Sequence, residues 1–225
     1  MRKGRGKMQR KEYKLKVWVG QMLFRFTNRE RNQEFLKTHP HIPVNENLAV
    51  SFLAMDMRNK WHIKFTDADE GFIEKMWGKP VDELYPLVLE NTMRLLPPSL
   101  IPLEELLEEV VKDRGMHLEE LPEGFPKMYV LTNLLKRYGA AALLYPGTLK
   151  KAGEVLGSDF AILPSSIHEV LLLPGEFGRK DLENFADMVR YVNREHVEDW
   201  DVLDDTVYFY KRDGDRLFRP LEEEP

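Results

Sequence analysis

Cysteine is absent from all 225 residues of the chain. This absence excludes a disulfide framework, a zinc site built on thiolates and a cysteine nucleophile. The chain also lacks an apolar run near the roughly 18 residues that a membrane span needs, and its N-terminus lacks the apolar core of a signal peptide. We therefore expect a cytoplasmic protein that does not enter a membrane.

Motifs for phosphate and metal binding are missing as well. Neither G-x-G-x-x-G nor G-x-x-x-x-G-K-[ST] occurs, and there is no H-E-x-x-H or calcium-loop spacing. The six histidines are scattered, and the acidic run from Glu198 to Asp205 is typical of a solvated loop. We predict no cofactor and no metal.

Apolar and charged residues are both plentiful. The hydrophobic fraction is 43% and the chain has 24 aromatic residues, which indicates a buried core in one domain or two small ones. Charged residues make up 32% of the chain, so we expect a highly charged surface.

Positive charge is concentrated at the start of the chain. Residues 1–16 have a net charge of +7, which leaves −12 for the remainder of a chain whose total is −5. Two interpretations remain open: a flexible, solvated leader, favoured because the acidic body repels nucleic acid, or an arm that binds nucleic acid by counterion release. The arm residues would be Arg2, Lys3, Arg5, Lys7, Arg10 and Lys11.

The first half of the chain, residues 17–97, predicts three strands and three helices. The predicted strands are 14–27, 47–57 and 60–65, the last two forming a hairpin. The predicted helices are 29–37 with Asn28 as its cap, 66–78 and 80–96. In the second helix Asp67 and Glu70 have capping-box spacing, and Gly78 stands where a left-handed C-terminal residue belongs.

The remainder of the chain predicts a linker and a second half. Residues 98–126 contain several prolines around one acidic helix, 103–112, and read as a Pro-rich linker. In the second half, residues 127–225, the predicted strands are 128–132, 140–145, 160–164, 169–173, 206–211 and 216–219. The predicted helices are 148–156 and 179–196, and Asp213-Gly214 is a strong hairpin turn.

Short connections between strands favour antiparallel pairing, because parallel strands need long crossovers. The sequence therefore predicts an α+β fold with mixed, mainly antiparallel sheets and packed helices. Each half contains a hairpin followed by a long helix, so two related halves remain an open hypothesis.

Several short segments of the sequence resemble those of a known family. MYVLTN, GAAALLYPG, LGSDF and ILPSSIHEVLLLP in the second half, and TNRERNQEFLKTHPHIP, NLAVSF, MWG and LYPLVLENT in the first, are similar to those of family of unknown function 5688 (DUF5688) from anaerobic Gram-positive bacteria. The likeness runs from about Met22 to the end, and the chain more distantly resembles the UPF0354-type family. The resemblance implies no activity. Members of the family usually carry a further α/β region upstream, where this sequence has only a short basic leader. Three interpretations remain open: a shortened member, a misassigned start, or a leader recruited to a new task.

The most distinctive polar segment is Pro164–Glu169, with the sequence PSSIHE. In an extended stretch Ser166 and His168 would share a face, which suggests a nucleophile and its base, with Glu169 nearby. A hydrolase also needs a group that orients the histidine and an oxyanion hole, and neither can be assigned from the sequence. The favoured alternative is that Ser165 and Ser166 satisfy the backbone of a turn and that His168 is a hydrogen-bonded residue at a strand end.

Four further polar residues are candidate binding residues: Ser165, Asn91, Tyr145 and Asp159. Asn91 lies in an otherwise apolar helix, where core hydrogen bonding is its favoured role. The missing catalytic signatures favour a binding or interaction protein with a macromolecular partner, most simply another protein. A hydrolase-like enzyme that uses Ser166 and His168 is the alternative, and the sequence does not decide whether the protein is an enzyme.

Overall fold

The computed structural model describes residues 20–59, 62–113 and 126–222. The predicted basic leader, residues 1–16, lies outside this described part. The chain forms two compact units, Met1–Leu96 and Pro97–Pro225.

The described residues of the first unit form four strands and three helices. In chain order they are β1 (Met22–Asn28), α1 (Gln33–Leu36), β2 (His41–Pro43), β3 (Leu48–Asn59), β4 (His62–Asp67), α2 (Glu70–Met76) and α3 (Val81–Leu95). The predicted hairpin is confirmed as β3 and β4. The predicted helix 29–37 is shorter than expected, because the Asn28 side chain accepts hydrogen bonds from the backbone of Glu30 and Arg31 in a turn that delays the helix.

Strand β3 is the centre of the first sheet. It pairs antiparallel with β1 along one edge, from Met22 opposite Ala54 to Asn28 opposite Leu48. Strands β2 and β4 pair antiparallel with successive stretches of β3. Helix α3 packs on β1 through a buried row at four-residue spacing, Leu84, Val88 and Thr92.

The cap of α2 differs from the sequence prediction. Asp69, and not Asp67, is the N-cap, and its carboxylate accepts a hydrogen bond from Phe72 N–H at 2.7 Å. Asp67 still belongs to β4, where it pairs with Leu53. Gly78 has φ +67° at the end of the helix, as predicted.

In the second unit, residues 97–113 and 126–222 form six strands, three α-helices and two 3₁₀ turns. They are β5 (Pro98–Pro102), α4 (Leu103–Asp113), β6 (Tyr129–Asn133), a 3₁₀ turn (Gly139–Leu144), α5 (Thr148–Leu156), β7 (Phe160–Pro164), β8 (Val170–Pro174), α6 (Arg179–His196), a second 3₁₀ turn (Asp199–Asp201), β9 (Tyr208–Lys211) and β10 (Arg216–Phe218).

The six strands form one sheet in the order β10-β9-β7-β8-β6-β5, and every pair of neighbours is antiparallel. The first sheet has four described strands in a different arrangement. Both units combine antiparallel sheets with helices, so the predicted α+β class is confirmed. Every helix in the described part of the chain is too short or too polar to cross a membrane.

Two segments of the second unit differ from the sequence prediction. Residues 98–102, predicted as linker, form β5, which pairs with β6 along its whole length. The predicted strand 140–145 is wrong, because Gly139–Leu144 forms a 3₁₀ turn. A short run of alanine and leucine is equally compatible with a buried strand or a buried helical segment, so its periodicity does not distinguish them.

The core of the second unit lies between α6 and the sheet. Leu182, Ala186 and Val189 form the buried face of α6, and they pack with Ala161 of β7 and Phe209 of β9. This packing leaves the end of the β9–β10 hairpin beside the first turn of α6.

Candidate functional site

The PSSIHE segment connects β7 to β8, whose residues Pro164 and Val170 are direct partners. The segment bends at Ile167 and His168 instead of continuing the strand, and Ser166 N–H donates to Glu169 O across the bend. Ser166 also forms an isolated bridge with Val202. The predicted extended stretch, with Ser166 and His168 on a shared face, is therefore replaced by a hairpin loop.

The Ser166 hydroxyl is part of this loop's own hydrogen bonding. It donates to Glu169 Oε1 at 2.8 Å and accepts the His168 backbone N–H at 3.0 Å. Ser166 is only 6% exposed. Among the described residues, the partners of the hydroxyl are thus Glu169 and the loop backbone, and not the His168 imidazole.

The His168 ring is fixed on both sides. Its Nδ1 accepts the Tyr138 N–H at 3.0 Å, and its Nε2 lies 3.6 Å from Asp201 Oδ2. Because Nδ1 is an acceptor, the neutral ring has its proton on Nε2, directed toward Asp201. The imidazole therefore contacts both the Tyr138 backbone and the turn at Asp199–Asp201.

The backbone of the loop is equally well anchored. His168 O accepts hydrogen bonds from Thr132 Oγ1 at 2.8 Å and from Gly139 N–H at 2.9 Å. Ile167 N–H donates to Asp201 O at 2.8 Å. These bonds join the loop backbone to three other segments of the second unit, and a buried polar backbone is normally paired in this way.

The four other predicted binding residues do not converge. Ser165 is half-buried in the loop. Tyr145 is 2% exposed, and burial raises its pKa. Asp159 accepts the Arg212 N–H at 2.9 Å and so joins the end of β9 to the start of β7. Asn91 belongs to the first unit, where its side chain accepts a hydrogen bond from Arg94.

The acidic run after α6 is only partly solvated. Asp204 is 2% exposed, and its carboxylate accepts bonds from Tyr208 Oη at 2.5 Å and from the Asp205 backbone. Asn193 of α6 donates to Asp204 O and to the Asp205 carboxylate. Within the described ranges, no three histidine or acidic side chains are grouped in a way that could hold a metal ion.

A cavity of about 310 Å³ lies elsewhere in the second unit, where the first turn of α6 meets the β9–β10 hairpin. Five of its lining residues are apolar, three of them aromatic, and the other two are cationic. They are Phe177, Leu182, Phe209, Phe218, Pro220, Arg179 and Lys211. We refer to this cavity as the aromatic pocket.

The floor of the aromatic pocket is a cluster of edge-to-face rings. Phe209 lies at the centre, with ring centroids 6.4 Å from Phe177 and 5.8 Å from Phe218. Phe177 also packs edge-on against Phe185 of α6. Edge-to-face contacts of this kind favour defined relative orientations of the rings.

The sequence analysis did not identify this pocket, although one signal was present. Residues two apart in a strand share a face, so Phe209 and Lys211, and likewise Arg216 and Phe218, point to one side of the hairpin that Asp213-Gly214 predicts. The contribution of α6, roughly 30 residues earlier, has no local signal in the sequence.

Comparison with protein-family models matches residues 7–212 to the family of unknown function DUF5688. The family match begins at residue 7, earlier than the resemblance noted from about Met22, and it ends at residue 212, before β10. No curated protein matches the chain, and no solved structure matches it either. Since the match covers most of the chain, the protein belongs to DUF5688, a family of unknown function.

Proposed function

We propose that the second unit is a binding module for a partner protein and that one apolar side chain of the partner enters the aromatic pocket. The observation that carries this proposal is the pocket's lining, which is apolar in five of seven residues and has two cations at its rim. Concave apolar sites with a few polar groups at the edge are the usual form of a binding pocket.

The lining favours binding over chemistry. Among the described side chains that line the pocket there is no hydroxyl, imidazole or carboxylate, and the exposed Lys211 amine therefore has no second catalytic group of these kinds in the lining. In the PSSIHE loop, the alternative site, the Ser166 hydroxyl donates to Glu169 and the imidazole is engaged at both nitrogens. A hydrolase would need the hydroxyl to face the imidazole.

The size of the pocket favours a peptide side chain over a larger organic ligand. Its volume of about 310 Å³ lies at the lower end of the range of small-molecule sites, about 300–1,000 Å³. A space of this size has room for one aromatic or branched side chain of a peptide. The neighbouring strand β10 forms an edge of the described sheet.

The proposal is tested by selecting binders to the purified chain from a displayed library of random peptides. We expect the selected peptides to share an aromatic or large aliphatic residue. The variant Arg179→Trp adds bulk at the pocket mouth, and the Arg179 side chain is 74% exposed, so the fold tolerates the change. Because burial of one apolar side chain contributes about 1.5–3 kcal/mol, we expect this variant to weaken peptide binding by about 10- to 100-fold.

Lys180→Trp is the matched control, because Lys180 is the next residue of α6, is exposed and does not line the pocket. It should bind the selected peptides like the unmodified chain, and both variants should keep its melting temperature. A selection that enriches no peptide, or peptides that bind the Arg179→Trp variant as tightly as the original chain, would contradict the proposal.

A further inference from the structure

Given the proposed function, on which this step rests, we infer that the partner segment is acidic: an aromatic or aliphatic side chain enters the aromatic pocket, and a neighbouring carboxylate lies against the cations of the β9–β10 hairpin. The inference depends on the arrangement of Lys211, Arg216 and Arg179.

Two cations share the ring of Phe218. The Arg216 guanidinium carbon lies 5.0 Å from the ring centroid and Lys211 Nζ lies 6.0 Å from it. Lys211 and Arg216 are also direct cross-strand partners in the hairpin. Both side chains therefore project on the pocket side of the hairpin, next to each other.

Like charges directly opposite each other destabilise a pair of strands. Lys211 forms no ion pair with any described residue, so the structure does not compensate its charge with a neighbouring carboxylate. Asp215 lies on the opposite face, where it accepts a hydrogen bond from Tyr210 Oη at 2.6 Å. A carboxylate from outside would compensate the charge of Lys211.

Arg179 adds a third cation on the other side of the pocket. Its Nε lies 3.1 Å from Glu183, an exposed pair within the helix that is weak and easily exchanged. Arg179 is also the first residue of the 18-residue helix α6, whose positive end faces the same region. Cations thus flank an apolar cavity from two elements, and their charge complements a carboxylate beside an apolar side chain.

Three synthetic peptides test this inference: acetyl-Gly-Glu-Phe-Glu-Gly-amide and its counterparts in which both Glu are replaced by Gln or by Lys. Fluorescence-detected binding to the full chain is measured at low and at high salt. Because partly exposed ion pairs each contribute a factor of about two to five, we expect the two Glu together to make the Glu peptide bind about 4- to 25-fold more tightly than the Gln peptide. The Lys peptide should bind weakest, and high salt should remove the preference.

Matched variants connect the preference to the hairpin. Lys211→Gln and Arg216→Gln should each reduce the ratio of Glu-peptide to Gln-peptide affinity, whereas Lys180→Gln, an exposed cation outside the pocket, should leave it unchanged. Equal binding of the Glu and Gln peptides, lost in Arg179→Trp, would overturn this inference and leave the proposed function intact. Binding by none of the peptides, together with a selection that enriches nothing, would contradict both.

In one further outcome, the carboxylates that bind these cations would come from the chain itself and not from a partner. The sequence ends in Glu222-Glu223-Glu224-Pro225, and residues 223–225 lie outside the described part. If the Glu peptide binds only after residues 223–225 are removed, the chain's own acidic terminus competes for the cations, and the inference of a partner's acidic segment is wrong. Equal binding with and without these residues supports the partner.

Discussion

At the scale of single residues, Gly139 has the least room for a Cβ atom among the described glycines. A Cβ there would lie 2.2 Å from Thr132 Oγ1 and 2.6 Å from His168 O. Both atoms belong to the hydrogen bond that anchors the PSSIHE loop. The absence of a side chain at Gly139 is what lets the 3₁₀ turn approach the loop so closely.

We therefore predict that Gly139→Ala destabilises the protein by about 3 kcal/mol or more, because the methyl group overlaps atoms that cannot move without breaking the Thr132 bond. Urea unfolding measures the change. Gly178→Ala is the control within the same unit, since its Cβ meets nothing closer than 3.5 Å, and we expect it to cost less than about 1 kcal/mol. Equal costs for the two variants would mean that the turn relaxes.

At the scale of elements, a threonine joins helix α3 to strand β1. Thr92 Oγ1 donates to Val88 O in its own helix at 2.6 Å and accepts the Phe24 N–H of β1 at 3.2 Å. Both hydrogen bonds lie in the core, because Thr92 and Phe24 are fully buried. A polar residue in the apolar face of α3 therefore accepts a hydrogen bond from a backbone donor of the sheet.

We predict that Thr92→Val, which keeps the shape and removes the hydroxyl, lowers the free energy of unfolding by about 1–3 kcal/mol, because the Phe24 N–H loses its acceptor in a buried position. Amide hydrogen exchange at Phe24 should accelerate. Thr92→Ser is the control, since it retains the hydroxyl at the expense of a methyl group, and exchange at Phe24 should stay slow. Unchanged Phe24 protection in Thr92→Val would show that the bond contributes nothing.

At the scale of the whole molecule, the chain is built as two compact units that each bury their own core. The boundary between the units lies at Leu96 and Pro97, and β5 and α4 belong to the second unit. Strand β5 completes the far edge of the six-stranded sheet, so residues from 97 onward are needed for that sheet.

We predict that fragments 1–96 and 97–225 each fold alone and unfold cooperatively on heating, because each contains a full sheet with a packed helix and falls in the usual domain range of about 50–250 residues. Circular dichroism of the separate fragments measures this. A fragment that starts at residue 103, and so lacks β5, should be less stable than 97–225. A fragment 97–225 without a cooperative transition would show that the second unit does not fold independently.

The accuracy of the sequence predictions followed the strength of local signals. The helix at Arg179–His196 has a sustained apolar period and was predicted with its observed ends, and the hairpin around Asp213-Gly214 follows from its turn residues. The run Gly139–Leu144 has no such signal, and only its bonds to Ile167 and His168 determine that it is a 3₁₀ turn. The capping of α2 by Asp69 depended on where β4 ends, which is set by pairing with β3.

The sequence by itself determined the α+β class, most of the elements, the absence of thiol chemistry and the family to which the chain belongs. These properties depend on composition and on residues close together along the chain. Tertiary structure alone decided what the PSSIHE loop and the aromatic pocket are, because both depend on distant residues. Asp201 and Tyr138 fix the His168 ring, and the pocket forms only where the first turn of α6 meets a hairpin about 30 residues further along the chain.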